Sequence, residues 1–295
     1  KRKILKALKQ LPAVAGVLLS IAGLMIYPTQ TAEGIKEGLL LTANNLIPSL
    51  FPFMVISSYI VNSPVADIMA KTTNTFSEKI FKTNGYGMCA VIMGLIGGYP
   101  IGAKITADFY KSGRLSKKQA QSLLLWCVNP GPAFVIIAVG SFMYSRVKSG
   151  IILYVSIVIS ALITGFVVSL FTKHTYTPQI ALTEEKNKNQ FVNAVNSSGQ
   201  AMLSICSWVL IFSASGALFS ELLPSSVSLV LRALAEVTTG CAIAAEKSLP
   251  LPLVCGILGF GGFAVFFQIT GYLHTCETDP KLFENTERSP VWIGD

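Results

Sequence analysis

Side chains able to bind a polar solute stand beside glycine and proline clusters within apolar runs of this sequence. A buried polar group costs free energy unless it finds a hydrogen-bond partner. Backbone that leaves the helix at membrane depth is tolerated only where protein or a water-filled cavity satisfies it, as in the binding sites of secondary transporters. The candidate substrate-binding residues are Gly97, Gly98, Tyr99, Pro100, Gly102, Lys104, Asn129, Glu236, Thr238, Thr239 and Gln268.

These residues indicate binding rather than catalysis. The sequence contains no Ser-His-Asp, phosphate-loop, zinc-protease or dinucleotide-binding pattern, and His174 and His274 have no partner arrangement for acid–base work. Its six cysteines are scattered without a CxxC pair. We therefore expect no enzyme activity, no cofactor and no metal site.

Lys104 follows the run Gly97-Gly98-Tyr99-Pro100-Ile101-Gly102-Ala103. Its ammonium, with the amides of a half-helix starting at Ile101, is suited to a carboxylate. The alternative is an interfacial lysine that marks the cytoplasmic end of a helix. Asn129, before Pro130-Gly131-Pro132, is either a ligand-binding amide or part of a packing kink, and Gln268 can equally hydrogen-bond a neighbouring helix.

Glu236 precedes Val237-Thr238-Thr239-Gly240 and lies four residues after Arg232. One interpretation is an i,i+4 ion pair at the outer surface. The other is a carboxylate that carries a coupling proton or orders the substrate, because ionisable residues within the membrane often mark transport pathways. The glycine and the two threonines that follow favour the second interpretation.

The composition places the chain in a lipid bilayer. It is 52% hydrophobic and only 13% charged, with a mean hydropathy of +0.58, whereas soluble domains are about 25% charged. Several charge-free runs reach the roughly 18 residues that indicate a membrane span. The net charge of +8 lies in short clusters between these runs, which indicates topology signals and no nucleic-acid partner.

The positive-inside rule predicts that Tyr86 to Ala103 is a re-entrant hairpin, because basic clusters flank it on both sides. With a second hairpin at Val227 to Glu246, 18 basic residues fall inside and five outside. If the first segment spans instead, the count becomes 12 against 11. We therefore predict an all-α polytopic protein with about six spans, two re-entrant hairpins and a cytoplasmic N-terminus.

The order of elements recurs along the chain and predicts two inverted repeats. A span with a polar first half, a hairpin and a broken span occur in 36–172 and again in 191–273. Inverted repeats place the substrate site at their interface near the midplane. The full division is one membrane domain, 1–295. Its parts are a basic N-terminus and signal-anchor helix (1–35), the two repeats, a cytoplasmic linker (173–190) and a polar tail (274–295). A cleavable signal sequence is the alternative to the anchor.

Several motifs together resemble the YlbJ/SpoVV family of sporulation integral membrane proteins, which carry the Gate, or nucleoside-recognition, repeats. The motifs are Leu50-Phe51-Pro52-Phe53, the run from Gly97 to Lys104, the Asn129 break, the Glu236 segment and Gly259-Phe260-Gly261-Gly262. The resemblance implies a transporter that moves dipicolinate across the outer forespore membrane. It also implies a final apolar helix after Leu273, whose absence leads us to expect a truncated or altered chain.

The resulting functional prediction is a permease for a small organic anion in the cytoplasmic or outer forespore membrane. Its partners would be that anion and the lipid bilayer, with homo-oligomerisation left open. A nucleoside or other metabolite carrier is one alternative, and it would need polar rather than cationic groups in its site. A sporulation membrane factor that does not transport is the other alternative.

Overall fold

The computed structural model describes residues 23, 25–171 and 189–277, and all regular structure in these ranges is helical. In chain order, the helices are α1 (Pro28–Leu41), π1 (Thr42–Leu46), α2 (Ile47–Val61), α3 (Pro64–Phe81), α4 (Gly85–Gly97), α5 (Ile101–Lys111), α6 (Lys117–Leu124), π2 (Ala133–Met143), α7 (Val147–Phe171), α8 (Gln190–Leu222), α9 (Ser225–Ala235), α10 (Val237–Glu246), α11 (Leu251–Phe260) and α12 (Gly262–Glu277).

In the first half of the described chain, capping side chains determine where several helices begin. The Ser63 hydroxyl accepts a hydrogen bond from the Val65 amide, and the Asn84 side chain accepts one from the Gly87 amide. Ser116 and Gln119 form a reciprocal capping box at the start of α6. These caps satisfy amides that the first helical turn leaves without partners, so they fix where each short helix begins.

The predicted all-α membrane class is confirmed in its coarse form. Three helical segments of the described residues are long and apolar enough to cross a bilayer, namely Val147–Phe171, Gln190–Leu222 and Leu251–Thr270. A fourth is reached if the pair Leu50–Val61 and Pro64–Phe81, bent by 77°, forms one span. The anchor predicted within 1–35 falls largely outside the described residues, as do most of the linker and nearly all of the tail.

The longest uninterrupted apolar helix of the first half, α7, buries one narrow stripe. Gly150, Leu153, Ile157, Ala161 and Gly165 recur at helical spacing and are buried. Large apolar side chains on its other faces are exposed, as expected where hydrocarbon replaces water as the neighbour. This helix therefore packs on the bundle by one edge and leaves the rest for lipid.

The helices α4 and α5 fold back on each other as a helical hairpin. The two helices meet at glycines, since a Cβ placed on Gly94 would lie 2.9 Å from the Gly102 Cα. Gly98, in the turn, has a φ of +81°, a conformation that glycine adopts without steric cost. The peptide bond between Tyr99 and Pro100 is cis.

Arg114 holds the base of this hairpin. Its guanidinium lies 5.2 Å from the ring centroid of Tyr86 and 5.6 Å from that of Phe109. It also lies 3.9 Å from the Asp67 carboxylate, which accepts a 2.8 Å hydrogen bond from the Tyr86 hydroxyl. Its backbone carbonyl accepts a hydrogen bond from the Asn84 amide. From the loop after α5, this one residue thus joins α3, the start of α4 and α5.

A second helical hairpin consists of α9 and α10. A Cβ on Gly240 would lie 2.7 Å from the Ala233 carbonyl oxygen, so these helices also pack closely through a glycine. Between them Glu236 adopts extended backbone dihedrals. The last helical segment is interrupted at Gly261 and Gly262, which both have positive φ angles. The interruptions predicted from glycine and proline therefore occur in the structure.

Candidate functional site: a narrow neck between two vestibules

Four interruptions of helical structure come together at one place. A Cβ on Gly98 would lie 2.8 Å from the Gly131 amide nitrogen, and a Cβ on Gly262 would lie 3.3 Å from the Glu236 Cα. The ring of Tyr99 approaches to 3.7 Å from a Cβ on Gly261. The turn of each hairpin therefore touches a broken helix, and one aromatic side chain connects the two pairs.

These interruptions surround a small central cavity that we call the neck. Its free space is about 30 Å³, about the share of volume of one water molecule in liquid water. Apolar side chains form most of its wall, including Leu46 at the end of π1 and Phe134 at the start of π2. The lining residues are Leu46, Leu50, Tyr99, Pro130, Gly131, Phe134, Ile205, Val209, Glu236, Val237, Thr238, Ala264, Val265 and Gln268.

The Glu236 carboxylate caps α10 within this wall. It is only 3% exposed, and it accepts hydrogen bonds of 2.9 Å from the Thr238 amide and 2.7 Å from the Thr239 amide. The alternative of an i,i+4 pair with Arg232 is wrong, because α9 ends at Ala235 and Glu236 no longer follows its helical geometry. Arg232 instead lies 3.8 Å from the Glu37 carboxylate.

Two hydroxyl groups beside Glu236 have no hydrogen-bond partner among the residues that the structure describes. The Tyr99 Oη and the Thr238 Oγ1 are both buried and unpaired, and both residues line the neck. An unsatisfied buried hydroxyl costs about 1–3 kcal/mol. A solute or a water in the neck would recover that free energy, which makes these two groups candidate ligand contacts.

A larger, polar cavity opens on one side of the neck, and we call it the first vestibule. It holds about 380 Å³ of free space, within the usual range for small-molecule sites. Lys104 lines it and is held by Asp108, with 2.8 Å between Nζ and Oδ2. The lining residues are Pro100, Lys104, Ala107, Asp108, Lys111, Ser197, Gln200, Ala201, Ser204, Ile205 and Gln268.

A second vestibule of about 320 Å³ opens beyond Thr238. Its charged residues are Arg232 and two carboxylates, Glu37 and Glu246. Formal charges therefore sum to +1 in the first vestibule and −1 in the second. The lining residues are Glu37, Leu41, Phe212, Ser213, Gly216, Leu229, Arg232, Thr238, Thr239, Ala242, Ile243 and Glu246.

The three cavities follow one another along α8. The first vestibule contacts α8 from Ser197 to Ile205, the neck contacts Ile205 and Val209, and the second vestibule contacts α8 from Phe212 to Gly216. From Gln200 to Ser213 the helix rises about 20 Å. The neck shares Ile205 and Gln268 with the first vestibule and Thr238 with the second, so the cavities adjoin.

The predicted site residues are distributed over this row of three cavities. Tyr99, Glu236, Thr238 and Gln268 line the neck, Pro100 and Lys104 line the first vestibule, and Thr239 lines the second. Gly97, Gly98 and Gly102 shape the hairpin turn. Asn129 lines none of the three cavities, and its amide donates to the Trp126 carbonyl at 2.8 Å. A role in substrate binding stays a prediction for every one of these residues.

The polar first half of α8 was recognised in the sequence, but its side chains were not assigned to a cavity wall. Ser197, Gln200 and Ser204 lie three to four residues apart and face the first vestibule. That spacing is the signal of one helix face, but polar groups in spans are as often used between helices. Asp108 and Lys111 were also missed, although both lie on the same helix as Lys104.

Comparison with curated proteins finds one relative over most of the chain. The sporulation integral membrane protein YlbJ of Bacillus subtilis (strain 168) is 25% identical over 306 aligned positions, which cover 89% of this chain and 74% of the relative. No family model matches the chain. No solved structure matches it either.

Proposed function

Because this chain is a homologue of the sporulation integral membrane protein YlbJ, as its motifs predicted, we propose that it is a sporulation membrane transporter for a small organic anion. The family resemblance implies dipicolinate as the substrate. The membrane would be the cytoplasmic membrane or the outer forespore membrane, with the N-terminus in the cytoplasm.

The main support for this proposal is the row of three cavities along α8. Alternating access needs a cavity on each side of a closed point, and both sides must reach the same substrate site. Here two vestibules of about 380 and 320 Å³ adjoin a neck of about 30 Å³. The interrupted helices at the neck are the kind of backbone that hydrocarbon excludes and a transport pathway uses.

The contacts at the neck also support the six-span, inverted-repeat arrangement as part of the proposal. In each half, the turn of the hairpin touches the break that follows it: Gly98 touches Gly131, and Glu236 touches Gly262. Equivalent elements therefore make equivalent contacts in both halves. This is the pairing expected of two repeats that face each other across a midplane site.

An anion is favoured by the charge of the first vestibule. Lys104 and Lys111 face it with Asp108 as its one carboxylate among the described lining residues. Lys104 is only 13% exposed, so its ammonium is poorly screened by water. A substrate carboxylate arriving there would share Lys104 with Asp108 and gain a charge-assisted hydrogen bond.

A carrier of nucleosides or other uncharged metabolites is the second candidate. The observation that favours it is the composition of the neck, where the described lining contains hydroxyl and amide groups but no Lys, Arg or His. Competition between dipicolinate and a nucleoside for uptake separates the two candidates. Uptake of the nucleoside alone would replace the anion proposal by this one.

The proposed function is tested by uptake of labelled dipicolinate into liposomes that contain the purified protein. Lys104→Ala should raise the KM about tenfold, because a hydrogen bond to a charged group contributes roughly 1.5–3 kcal/mol. Lys117→Ala is the matched control, since Lys117 lies outside the first vestibule at the start of α6. Equal KM values for the two variants, at matched protein content, would make Lys104 a topology signal only.

A further inference from the structure

The neck carries a negative charge that no cation of the described residues balances. Among its lining residues the one formally charged side chain is Glu236. The carboxylate is 3% exposed, and its described hydrogen bonds come from two backbone amides. Amide dipoles disperse part of the charge, but they leave the site formally anionic.

Two cations that line the vestibules have partners of their own. Lys104 is paired with Asp108 at 2.8 Å, and Arg232 lies 3.8 Å from Glu37. An anion that moves from the first vestibule into the neck therefore leaves a positively charged surface and approaches a buried carboxylate. Like charges in a poorly solvated site repel strongly, so the neck opposes passage of the very charge that the vestibule attracts.

The neutral groups of the neck suit an uncharged carboxylic acid. The unpaired hydroxyls of Tyr99 and Thr238 can donate to a carbonyl oxygen, and the Gln268 amide adds both a donor and an acceptor. A protonated acid group can donate its O–H to the Glu236 carboxylate. The apolar side chains of Leu50, Phe134 and Val265 complete the wall. With a free space of about 30 Å³ in this conformation, the neck must widen to admit a ring.

We propose that the substrate binds in the first vestibule as an anion and crosses the neck only in its protonated, uncharged form. The transported class is then weak carboxylic acids, and permanent anions such as sulfonates are excluded. One proton accompanies each carboxylate group. This inference rests on the proposed transport function and deepens it.

The proton balance is simple. In the first vestibule each carboxylate of the substrate takes one proton from hydronium: an O–H bond of hydronium breaks and leaves water, and an O–H bond to a carboxylate oxygen forms. The acid crosses with these protons and returns them to water in the second vestibule, where hydronium forms again, so no net charge moves. The charged or titratable groups near this route are Tyr99, Cys241 and Glu236 around the neck, Lys104, Asp108 and Lys111 on one side, and Glu37, Arg232 and Glu246 on the other.

The test uses liposomes that contain the full chain and two probes of similar shape, pyridine-2,6-dicarboxylate and benzene-1,3-disulfonate. Uptake, internal pH and membrane potential are recorded together. We expect dicarboxylate uptake to acidify the lumen by two protons for each molecule and to leave the potential unchanged. The disulfonate should compete for binding yet enter at least about tenfold more slowly, as expected for a dianion facing a buried carboxylate.

Glu236→Gln removes the charge while keeping one side-chain oxygen as an acceptor for the α10 amides. We expect it to narrow the difference in uptake between the two probes, whereas Glu221→Gln, at an exposed position near the end of α8, leaves that difference unchanged. If Glu236→Gln fails to fold, proton stoichiometry and disulfonate exclusion in the unaltered protein still decide the question.

The outcomes separate the two proposals. Dicarboxylate uptake that moves charge without protons, or equal entry of the disulfonate, overturns the protonated-substrate inference and leaves the transport function standing. Absence of uptake and of binding for both probes, by protein that retains its helical signal, overturns the transport function together with this inference.

Discussion

The contact between the first hairpin and its broken helix predicts a large loss of stability for Gly98→Ala. Gly98 has φ +81° and ψ −178°, a region that is essentially restricted to glycine and costs other residues about 1–3 kcal/mol. The new Cβ would also lie 2.8 Å from the Gly131 nitrogen and 3.2 Å from its Cα. Backbone atoms cannot rotate away, so overpacking adds about 1–3 kcal/mol, and we expect a total of about 4 kcal/mol.

Two further variants separate the cost of the positive φ angle from the cost of the steric clash. Gly113→Ala meets a φ of +72°, but no atom of the described part of the chain lies within 4 Å of the new Cβ, so it should cost only about 1–2 kcal/mol. Gly131→Ala meets the Gly98 backbone at 3.0–3.1 Å without a positive φ and should cost about 1–3 kcal/mol. The free energy of unfolding is measured in mixed micelles by denaturant titration and circular dichroism. Equal losses for Gly98→Ala and Gly113→Ala would refute the close contact of the turn with the break.

Two further predictions concern topology and the base of the first hairpin. Single cysteines are introduced at positions 71 and 117 in a background without native cysteines. Neither should react with an impermeant thiol reagent applied outside intact cells, because the 18-to-5 charge distribution places both positions inside. Labelling at position 117 alone would contradict the re-entrant hairpin. Arg114→Lys should lower the free energy of unfolding by about 1–2 kcal/mol, because a lysine cannot stack flat on Tyr86 and Phe109. Arg146→Lys, at an exposed position, is its control and should change little; equal effects of the two would show that the stacking contributes nothing.

The interruptions of helices could be predicted from sequence because glycine and proline act locally. Pro130 and Pro132 cannot supply the amide hydrogens that a continuing helix needs, and Gly98, Gly261 and Gly262 adopt the positive φ angles that interrupt the other helices. The location of Glu236 beside such a break was also visible in the sequence. Its role as a helix cap was missed. An acidic side chain just before a helix commonly accepts hydrogen bonds from the backbone amides two and three residues later.

The walls of the neck could not be predicted, because they come from residues remote in sequence. Leu46, Phe134 and Ile205 resemble every other apolar residue of their segments, and only tertiary packing selects them. The two π-helical segments likewise leave no clear trace in composition. The inverted-repeat arrangement and the number of spans remain predictions, since three or four described segments can cross a membrane by length.

The kinds of contact at the neck determine which parts can move independently. Within each half, the hairpin turn and the break meet backbone to backbone, so neither can slide over the other without a steric clash. Between the halves, the corresponding contact is made by a side chain, since the Tyr99 ring lies 3.7 Å from a Cβ placed on Gly261. A relative motion of the two halves should therefore displace the Tyr99 side chain against Gly261, while each hairpin turn stays with its own broken helix.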